Sequence, residues 1–150
     1  MIKFTWKKIE RYSFELLNKF NESKMKFDYI IGINRGGLIP ALIISNQLDC
    51  KLICIGAKSY TGKKRNKLNI YSYPVVNLKN KNVLIVDEIC DTGITLNTIK
   101  KKVKQKYNPK QIITSSLIIN KLNCKVYPDF HVIEIENKTK EWIGFPWDKK

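Results

Sequence analysis

The sequence has no long apolar run and no segment typical of a targeting signal. No stretch approaches the roughly 18–20 apolar residues that span a bilayer, and the start, MIKFTWKKIE, lacks the uninterrupted apolar core of a secretion signal. We therefore expect a cytoplasmic protein without a membrane partner. Its 150 residues suit one domain with one sizeable core, and no internal repeat or low-complexity linker divides them.

Cysteine and histidine are scarce, which leaves little basis for zinc or redox chemistry. Cys50 and Cys54 are separated by three residues, and no further Cys or His follows at the spacing of a zinc site. We expect these two, Cys90 and Cys124 to be reduced, mostly buried thiols. The single histidine, His131, lies in a strand pattern and receives no chemical role.

Acidic residues are also in the minority, since 13 Asp and Glu stand against 28 Lys and Arg, and the net charge is +15. Such a balance invites a nucleic-acid partner, but the lysines are spread over the whole chain, with one concentration at residues 100–106. We favour a solvated basic face over nucleic-acid binding. A phosphate-rich small ligand would equally favour a positive field.

What the chain does contain is a series of apolar strands separated by helical patterns. Strands that are apolar throughout predict an α/β fold with a parallel twisted sheet flanked by helices. Ligands bind such sheets at the carboxyl ends of the strands. The predicted helices are residues 5–21, 38–48 and 94–107; the predicted strands are 28–33, 51–57, 82–87, 111–119 and 130–135; residues 70–76 are extended and the aromatic tail 141–150 is irregular.

The first of two unusual turns, NRGG, follows a predicted strand and precedes a predicted helix. Arg35 supplies a permanently charged guanidinium, and Gly36 and Gly37 leave backbone N–H groups accessible. Such a loop could hold a pyrophosphate. An ordinary glycine-rich connection between strand and helix is the alternative.

The second turn gathers Asp87, Glu88 and Asp91 at the end of a buried strand. Three carboxylates make sense there if they meet Mg²⁺, sugar hydroxyls or a developing positive charge; a solvated acidic turn is the alternative. The Thr-Gly-Ile-Thr segment that follows opens a helix, whose free N–H groups bind phosphate, although an ordinary N-cap at Asp91 or Thr92 would use the same residues. Together the two turns describe a site for a sugar carrying two separate phosphate groups.

The stretch VLIVDEICDTGITL, residues 83–96, resembles the phosphoribosyl-pyrophosphate signature of the type I phosphoribosyltransferases: an apolar strand, two acids, two variable residues and Asp-Thr-Gly-x-Thr. IIGINRGGLIPALIISNQL and the closing EWIGFPWD are similar to segments of the bacterial xanthine-guanine branch of that family. The resemblance implies a single phosphoribosyltransferase domain over residues 1–150, with a core at about 25–120 and a small base-binding hood at about 121–150.

The reaction that the resemblance implies belongs to purine salvage. The 5-phosphoribosyl group moves from phosphoribosyl pyrophosphate to a 6-oxopurine (guanine, xanthine or hypoxanthine), and pyrophosphate is released. Asp91 is the general acid or base at the purine N7 proton, while Asp87 and Glu88 hold the ribose hydroxyls and Mg²⁺. Four residues that open the helix bind the 5′-phosphate, mainly through backbone N–H groups: Thr92, Gly93, Ile94 and Thr95.

The resemblance assigns pyrophosphate to the first turn and to a mobile lid, residues 59–69. Arg35, Gly36 and Gly37 hold it in a turn where the family often has a non-proline cis peptide. From the lid, Arg65 or Lys67 reaches the same group, and closure excludes water from the reaction. A disordered polar loop is the alternative to a lid.

The resemblance also implies a purine site in the last part of the chain. Lys121 would donate to the purine O6, and Trp142 would stack on the ring. The Ile143 backbone reads the purine edge, and Asp148 fixes the exocyclic group or the waters of the metal. A surface lysine and aromatic packing of the tail are the alternatives.

Two departures from the family and two other functions stay open. Glu88 stands where the family usually has an aspartate, and Leu122 follows the lysine where some relatives have proline. A regulator of the same fold that binds nucleotide and RNA is the alternative to an enzyme, although no added helix-turn-helix segment accompanies the domain. A phosphoribosyltransferase for another base is the nearer rival, and the family resemblance also implies a homo-oligomer, either a dimer or a tetramer.

Overall fold

The computed structural model describes residues 1–59, 67–138 and 141–149. Within these residues no helix is both long and apolar enough to cross a membrane. The helices are α1 (Trp6–Glu22), α2 (Leu38–Leu48) and α3 (Ile94–Tyr107). The strands are β1 (Ile2–Lys3), β2 (Tyr29–Asn34), β3 (Lys51–Ser59), β4 (Leu68–Ser72), β5 (Asn82–Cys90), β6 (Gln111–Asn120), β7 (Ile133–Ile135) and β8 (Ile143–Gly144).

The main sheet has six strands in the order β4-β3-β2-β5-β6-β7. All neighbouring pairs are parallel except β3 and β4, so β4 forms an antiparallel edge. The α/β fold with a mostly parallel sheet is therefore confirmed. Because β2 and β5 are neighbours, the two turns that follow or end these strands meet at one edge of the sheet.

The sheet is covered on both faces, which explains strands without polar alternation. Ile30 and Leu84 point into one apolar cluster, which they share with α1 and α2. Their successors Ile31 and Ile85 point into a second cluster, which includes Ile99 of α3. The five side chains named here are fully buried. Adjacent residues of a strand face opposite sides, so each apolar dipeptide contributes to both cores.

The predicted helices agree closely with the observed ones. Helix α1 begins after Thr5, whose hydroxyl oxygen accepts the Lys8 backbone N–H at 3.3 Å, as expected for an N-cap. Pro40 lies in the first turn of α2, where its missing N–H costs no helical hydrogen bond. Local sequence therefore determines where these helices start.

Two strand predictions are corrected. Strand β5 continues to Cys90, three residues past the predicted end at Asp87, so Glu88 lies within the strand and not after it. The tail, predicted to be irregular, contains β8, which pairs in parallel with β1 through Ile2 and Ile143. Two-residue strands carry no periodic signal, since alternation needs about four residues to be recognised.

Candidate active site

The turn that follows β2 packs directly against the end of β5. A Cβ atom added to Gly36 would overlap the Glu88 carboxylate, and one added to Gly37 would lie 2.5 Å from the Val86 carbonyl oxygen. The Asn34–Arg35 peptide bond is cis, as the family resemblance implied. A larger residue at Gly37 would collide with backbone atoms, whereas one at Gly36 would displace the Glu88 carboxylate. The turn carrying Arg35 therefore lies beside the acidic residues.

Asp87 is a buried carboxyl, only 8% exposed. Its Oδ1 accepts the Glu88 backbone N–H at 2.9 Å. Burial raises the pKa of Asp87 well above its usual range, and the neighbouring Glu88 carboxylate raises it further. Among the described residues no ion pair neutralises either acid. The electrostatic environment of Asp87 and Glu88 therefore favours binding of a cation.

The chemistry of Asp87 and Glu88 fits Mg²⁺. Magnesium prefers oxygen ligands and usually takes one or two carboxylates, with the remaining positions filled by waters and substrate phosphates. In the described part of the chain no three His, Cys, Asp or Glu side chains cluster as a complete ligand set. The Asp87 and Glu88 carboxylates suit this preference for oxygen ligands.

A pocket of about 380 Å³ opens at the end of β5. The backbone enters α3 through Gly93, which has a φ of 90° and no room for a Cβ atom because the Val126 carbonyl oxygen lies against it. The Thr92 hydroxyl accepts the Ile94 N–H at 3.2 Å, while the N-cap position itself belongs to Gly93. Residues of three segments line the pocket: Ser59, Lys67, Leu68 and 87–96.

Asp91 lies in the same pocket but in a different environment from Asp87. It is exposed, and its Oδ1 accepts hydrogen bonds from Asn120 Nδ2 at 2.8 Å and Asn123 Nδ2 at 3.1 Å. Sequence reasoning missed both asparagines, which precede and follow Lys121 by one and two residues. The structure therefore shows how one oxygen of Asp91 is held, while no described residue donates to Oδ2.

Comparison with known proteins agrees with this geometry. Residues 4–150 match the family model of the phosphoribosyl transferase domain. The chain belongs to the phosphoribosyl transferase family. A purine phosphoribosyltransferase from Pyrococcus horikoshii OT3 is similar in structure, with 37% sequence identity and a TM-score of 0.84 over 99% of this chain and 95% of that one.

Further relatives of this phosphoribosyl transferase have modest identity. The xanthine-guanine phosphoribosyltransferase of Gluconobacter oxydans is 29% identical over 96% of this chain and 82% of its own length. That of Cereibacter sphaeroides is 30% identical over 79% of this chain and 68% of its own length. A hypothetical protein from Neisseria gonorrhoeae, solved with bound ppGpp, has 25% identity and a TM-score of 0.82, covering 99% of this chain and 90% of that one.

In this phosphoribosyl transferase, Lys121 directly follows β6. Its ammonium group lies 3.7 Å from Glu134 Oε2, and His131 Nε2 lies 3.3 Å from the other oxygen of Glu134. The Lys121 side chain is 54% exposed, so this ion pair is weak and readily exchanged. The role of Lys121 at the purine O6 stays a prediction.

The tail of the chain separates its aromatic residues into two groups. Trp147 stacks on Phe145 with ring centroids 5.0 Å apart, whereas Trp142 is 68% exposed. Trp147 therefore packs within the tail, whereas the Trp142 ring is exposed to solvent. The Asp148 carboxylate accepts the Phe145 backbone N–H at 2.8 Å, which engages one of its oxygens within the turn.

The remaining predicted site residues, Arg65 and Lys67, belong to the segment 59–69 that was predicted to form a lid. Lys67 lines the pocket, but Arg65 lies outside the described residues, as do all of residues 60–66.

All four cysteines are free, as expected, although Cys50 and Cys54 are only partly buried. Burial raises the pKa of the Cys90 thiol, which keeps it protonated beside the acidic turn.

Proposed function

We propose that this phosphoribosyl transferase moves the 5-phosphoribosyl group from phosphoribosyl pyrophosphate to guanine, xanthine or hypoxanthine. The products are a nucleoside monophosphate and pyrophosphate. The observation that supports this best is the contact of Glu88 and the buried Asp87 with the Gly36–Gly37 turn, because it joins two carboxylates suited to a cation to a loop suited to pyrophosphate. The relatives named xanthine-guanine and purine phosphoribosyltransferase support the purine class.

The acidic residues divide the chemistry between them. As the bond from ribose C1′ to pyrophosphate breaks, positive charge develops on the sugar, and Asp87 and Glu88 stabilise it while binding the ribose hydroxyls. Asp87 and Glu88 would hold Mg²⁺, which would supply positive charge to the departing pyrophosphate. Asp91 exchanges a proton with purine N7 as the new C–N bond forms. Its Oδ2 is the oxygen available for this, since Oδ1 already accepts two amide donors.

Basic and backbone groups bind the phosphates. The residues from Thr92 to Thr95 lie at the start of α3 within the pocket, where a helix N-terminus favours a 5′-phosphate. The exposed Arg35 and Lys67 bring positive charge to pyrophosphate, and Arg65 does so from the lid.

The purine lies against the tail in this proposal. Lys121 leaves its exposed partner Glu134 and donates to O6, which favours an oxo group over the amino group of adenine. Trp142 has an exposed ring for stacking, and the Ile143 backbone reads the purine edge. Asp148 keeps one oxygen for the exocyclic group or the metal waters. The hood is then residues 121–150, on a core of residues 25–120 within one domain over residues 1–150.

Assembly and location form part of the same proposal. We propose a cytoplasmic homo-oligomer, a dimer or a tetramer, whose mass light scattering would measure. A regulator that binds RNA and a transferase for another base are the alternatives. The relative from Neisseria gonorrhoeae was solved with ppGpp, a guanine nucleotide, and this supports guanine as the first base to test.

The deciding experiment incubates the purified protein with phosphoribosyl pyrophosphate, Mg²⁺ and guanine, xanthine, hypoxanthine or adenine in turn. We expect nucleoside monophosphate and pyrophosphate in equal amounts from the 6-oxopurines and little product from adenine. Salt-sensitive RNA binding without turnover of any purine would overturn the proposal. Turnover of adenine alone would keep the enzyme class and reject the base assignment.

A further inference from the structure

A chain of hydrogen bonds connects Asp91 with the segment that precedes Trp142. Asn120 Nδ2 donates to Asp91 Oδ1 at 2.8 Å, and Asn120 Oδ1 accepts the Asn137 backbone N–H at 3.2 Å. Asn137 in turn bonds Glu141 twice: its Nδ2 donates to the Glu141 carbonyl oxygen at 2.8 Å, and its Oδ1 accepts the Glu141 N–H at 3.1 Å. The chain of bonds crosses from the end of β5 to the tail.

Both linking asparagines are buried. Asn120 is 1% exposed and Asn137 is 7% exposed, so an unpaired amide at either position would be costly. The partners also determine how the Asn120 amide is oriented, because a carboxylate only accepts and a backbone N–H only donates. Only one orientation of the amide satisfies both neighbours, and the link is therefore directional and specific.

Asn120 is held firmly by its own backbone. It is the last residue of β6, and its carbonyl oxygen accepts the Cys124 N–H at 2.8 Å and the Asn123 N–H at 3.0 Å. The next residue, Lys121, donates its backbone N–H to Ile135 of β7 at 2.9 Å. These bonds fix the backbone from which the Asn120 side chain extends.

We propose that Asn120 and Asn137 are positioning residues that hold Asp91 in register with the purine-binding segment at Glu141–Ile143. This inference rests on the proposed function, in which Asp91 exchanges a proton with a purine bound at Trp142 and Ile143. The transfer requires the Asp91 oxygen within hydrogen-bond reach of N7, and a displacement of ~1 Å can lower the rate by ~10²-fold. Asn120 sets the Asp91 end of this distance, and Asn137 sets the tail end.

Variants separate the two ends. Asn120→Asp keeps an oxygen for the Asn137 N–H but replaces the donor to Asp91, so kcat should fall about 10–100-fold with the purine KM within about threefold. Asn137→Ala removes both side-chain bonds to Glu141, so the purine KM should rise about tenfold while kcat changes less. Neither should alter the KM for phosphoribosyl pyrophosphate by more than about threefold. Asn18→Ala, at an exposed position of α1, is the matched control and should leave every constant unchanged.

A double-mutant cycle distinguishes positioning from general structural support. Asn120→Ala should lower kcat about 10–100-fold in the native protein but less than about twofold when Asp91 is already Asn. An equal loss in both backgrounds overturns the inference, since it means that Asn120 does not act through Asp91. This variant also serves if the charged Asn120→Asp protein does not fold.

Amide hydrogen exchange tests the chain of bonds independently of turnover. In Asn120→Ala the Asn137 N–H loses its acceptor, and we expect its exchange to accelerate at least tenfold relative to the native protein. Unchanged exchange at Asn137 overturns the inference even in an active enzyme. Faster exchange in a protein without purine turnover would instead reject the proposed function and leave the link between Asp91 and the tail established.

Discussion

Two groups of carboxylates at the end of β5 lie within five residues of each other, yet their surroundings are opposite. Asp87 is buried beside Glu88, and its pKa is raised by burial and by that neighbour. Asp91 is exposed and holds two amide donors on one oxygen. These surroundings are the physical basis for proposing a cation-binding role for Asp87 and Glu88 and a proton-exchange role for Asp91.

Position in the sheet explains the difference. Asp87 is still within β5, paired with Ser116 of β6, so neighbouring strands remove water from its carboxyl. Asp91 follows the last residue of β5 and lies in the turn before α3. A few residues of chain thus separate a desolvated carboxyl group from a solvated one, and the two are proposed to have different roles.

Replacing Asp91 should have the largest effect. Asp91→Asn should lower kcat by about 10²–10⁴-fold, the usual scale for a lost acid–base group. Binding of phosphoribosyl pyrophosphate, measured by calorimetry, should change little, because Asp91 is assigned to the base. Unchanged turnover would mean that Asp91 takes no part in the reaction, and the proposed difference in role between Asp91 and the Asp87–Glu88 pair would be wrong.

Neutralising Glu88 should have the next largest effect, and on a different constant. Glu88→Gln should lower kcat/KM for phosphoribosyl pyrophosphate about 10–100-fold and raise the Mg²⁺ concentration needed for half-maximal rate, the usual scale for altered support of a metal site. Glu88→Asp, which restores the residue common in the family, is the matched variant and should lose less. If the Mg²⁺ dependence is identical in all three proteins, Glu88 does not serve the metal.

Removing the cation of Lys121 tests whether the base site is separate from both carboxylate groups. Lys121→Ala should raise the KM for guanine about tenfold, because one charge-assisted hydrogen bond contributes ~1.5 kcal/mol. The KM for phosphoribosyl pyrophosphate should not change. Lys102→Ala, at an exposed position of α3, is the control. Equal guanine kinetics in both variants would mean that Lys121 is a surface lysine that does not bind the purine.

Asp87→Asn should have the smallest effect on the free protein, and it should be stabilising. Because the folded-state pKa of Asp87 is raised, its contribution to stability is favourable below the pKa of the unfolded chain and is lost as pH rises through the folded value. In metal-free buffer at about pH 8 the variant should therefore melt a few degrees higher, since ~1 kcal/mol corresponds to about 2–4 °C. The gain should vanish near pH 4, and an equal gain at both values would mean that desolvated charge is not its cause.

Much of the fold could be predicted because its signals are local. Helix α1 has a capping threonine, α2 carries proline in its first turn, and the strand between them, β2, has a mostly apolar sequence. The end of β5 was misjudged because an acidic residue inside a buried strand looks like the strand's end. The pairing of β1 with β8 joins residues 141 positions apart, and no local pattern announces such a contact.

The sequence by itself determined the family, the parallel sheet and the two turns, since motif spacing and apolar periodicity depend only on neighbours along the chain. Only the tertiary structure decided that Glu88 lies over Gly36 and that Asp87 loses its water. It also decided that Asn120 and Asn137 link Asp91 to the tail. These features depend on which strands lie side by side, and burial and hydrogen bonding between distant residues exist only once the sheet has formed.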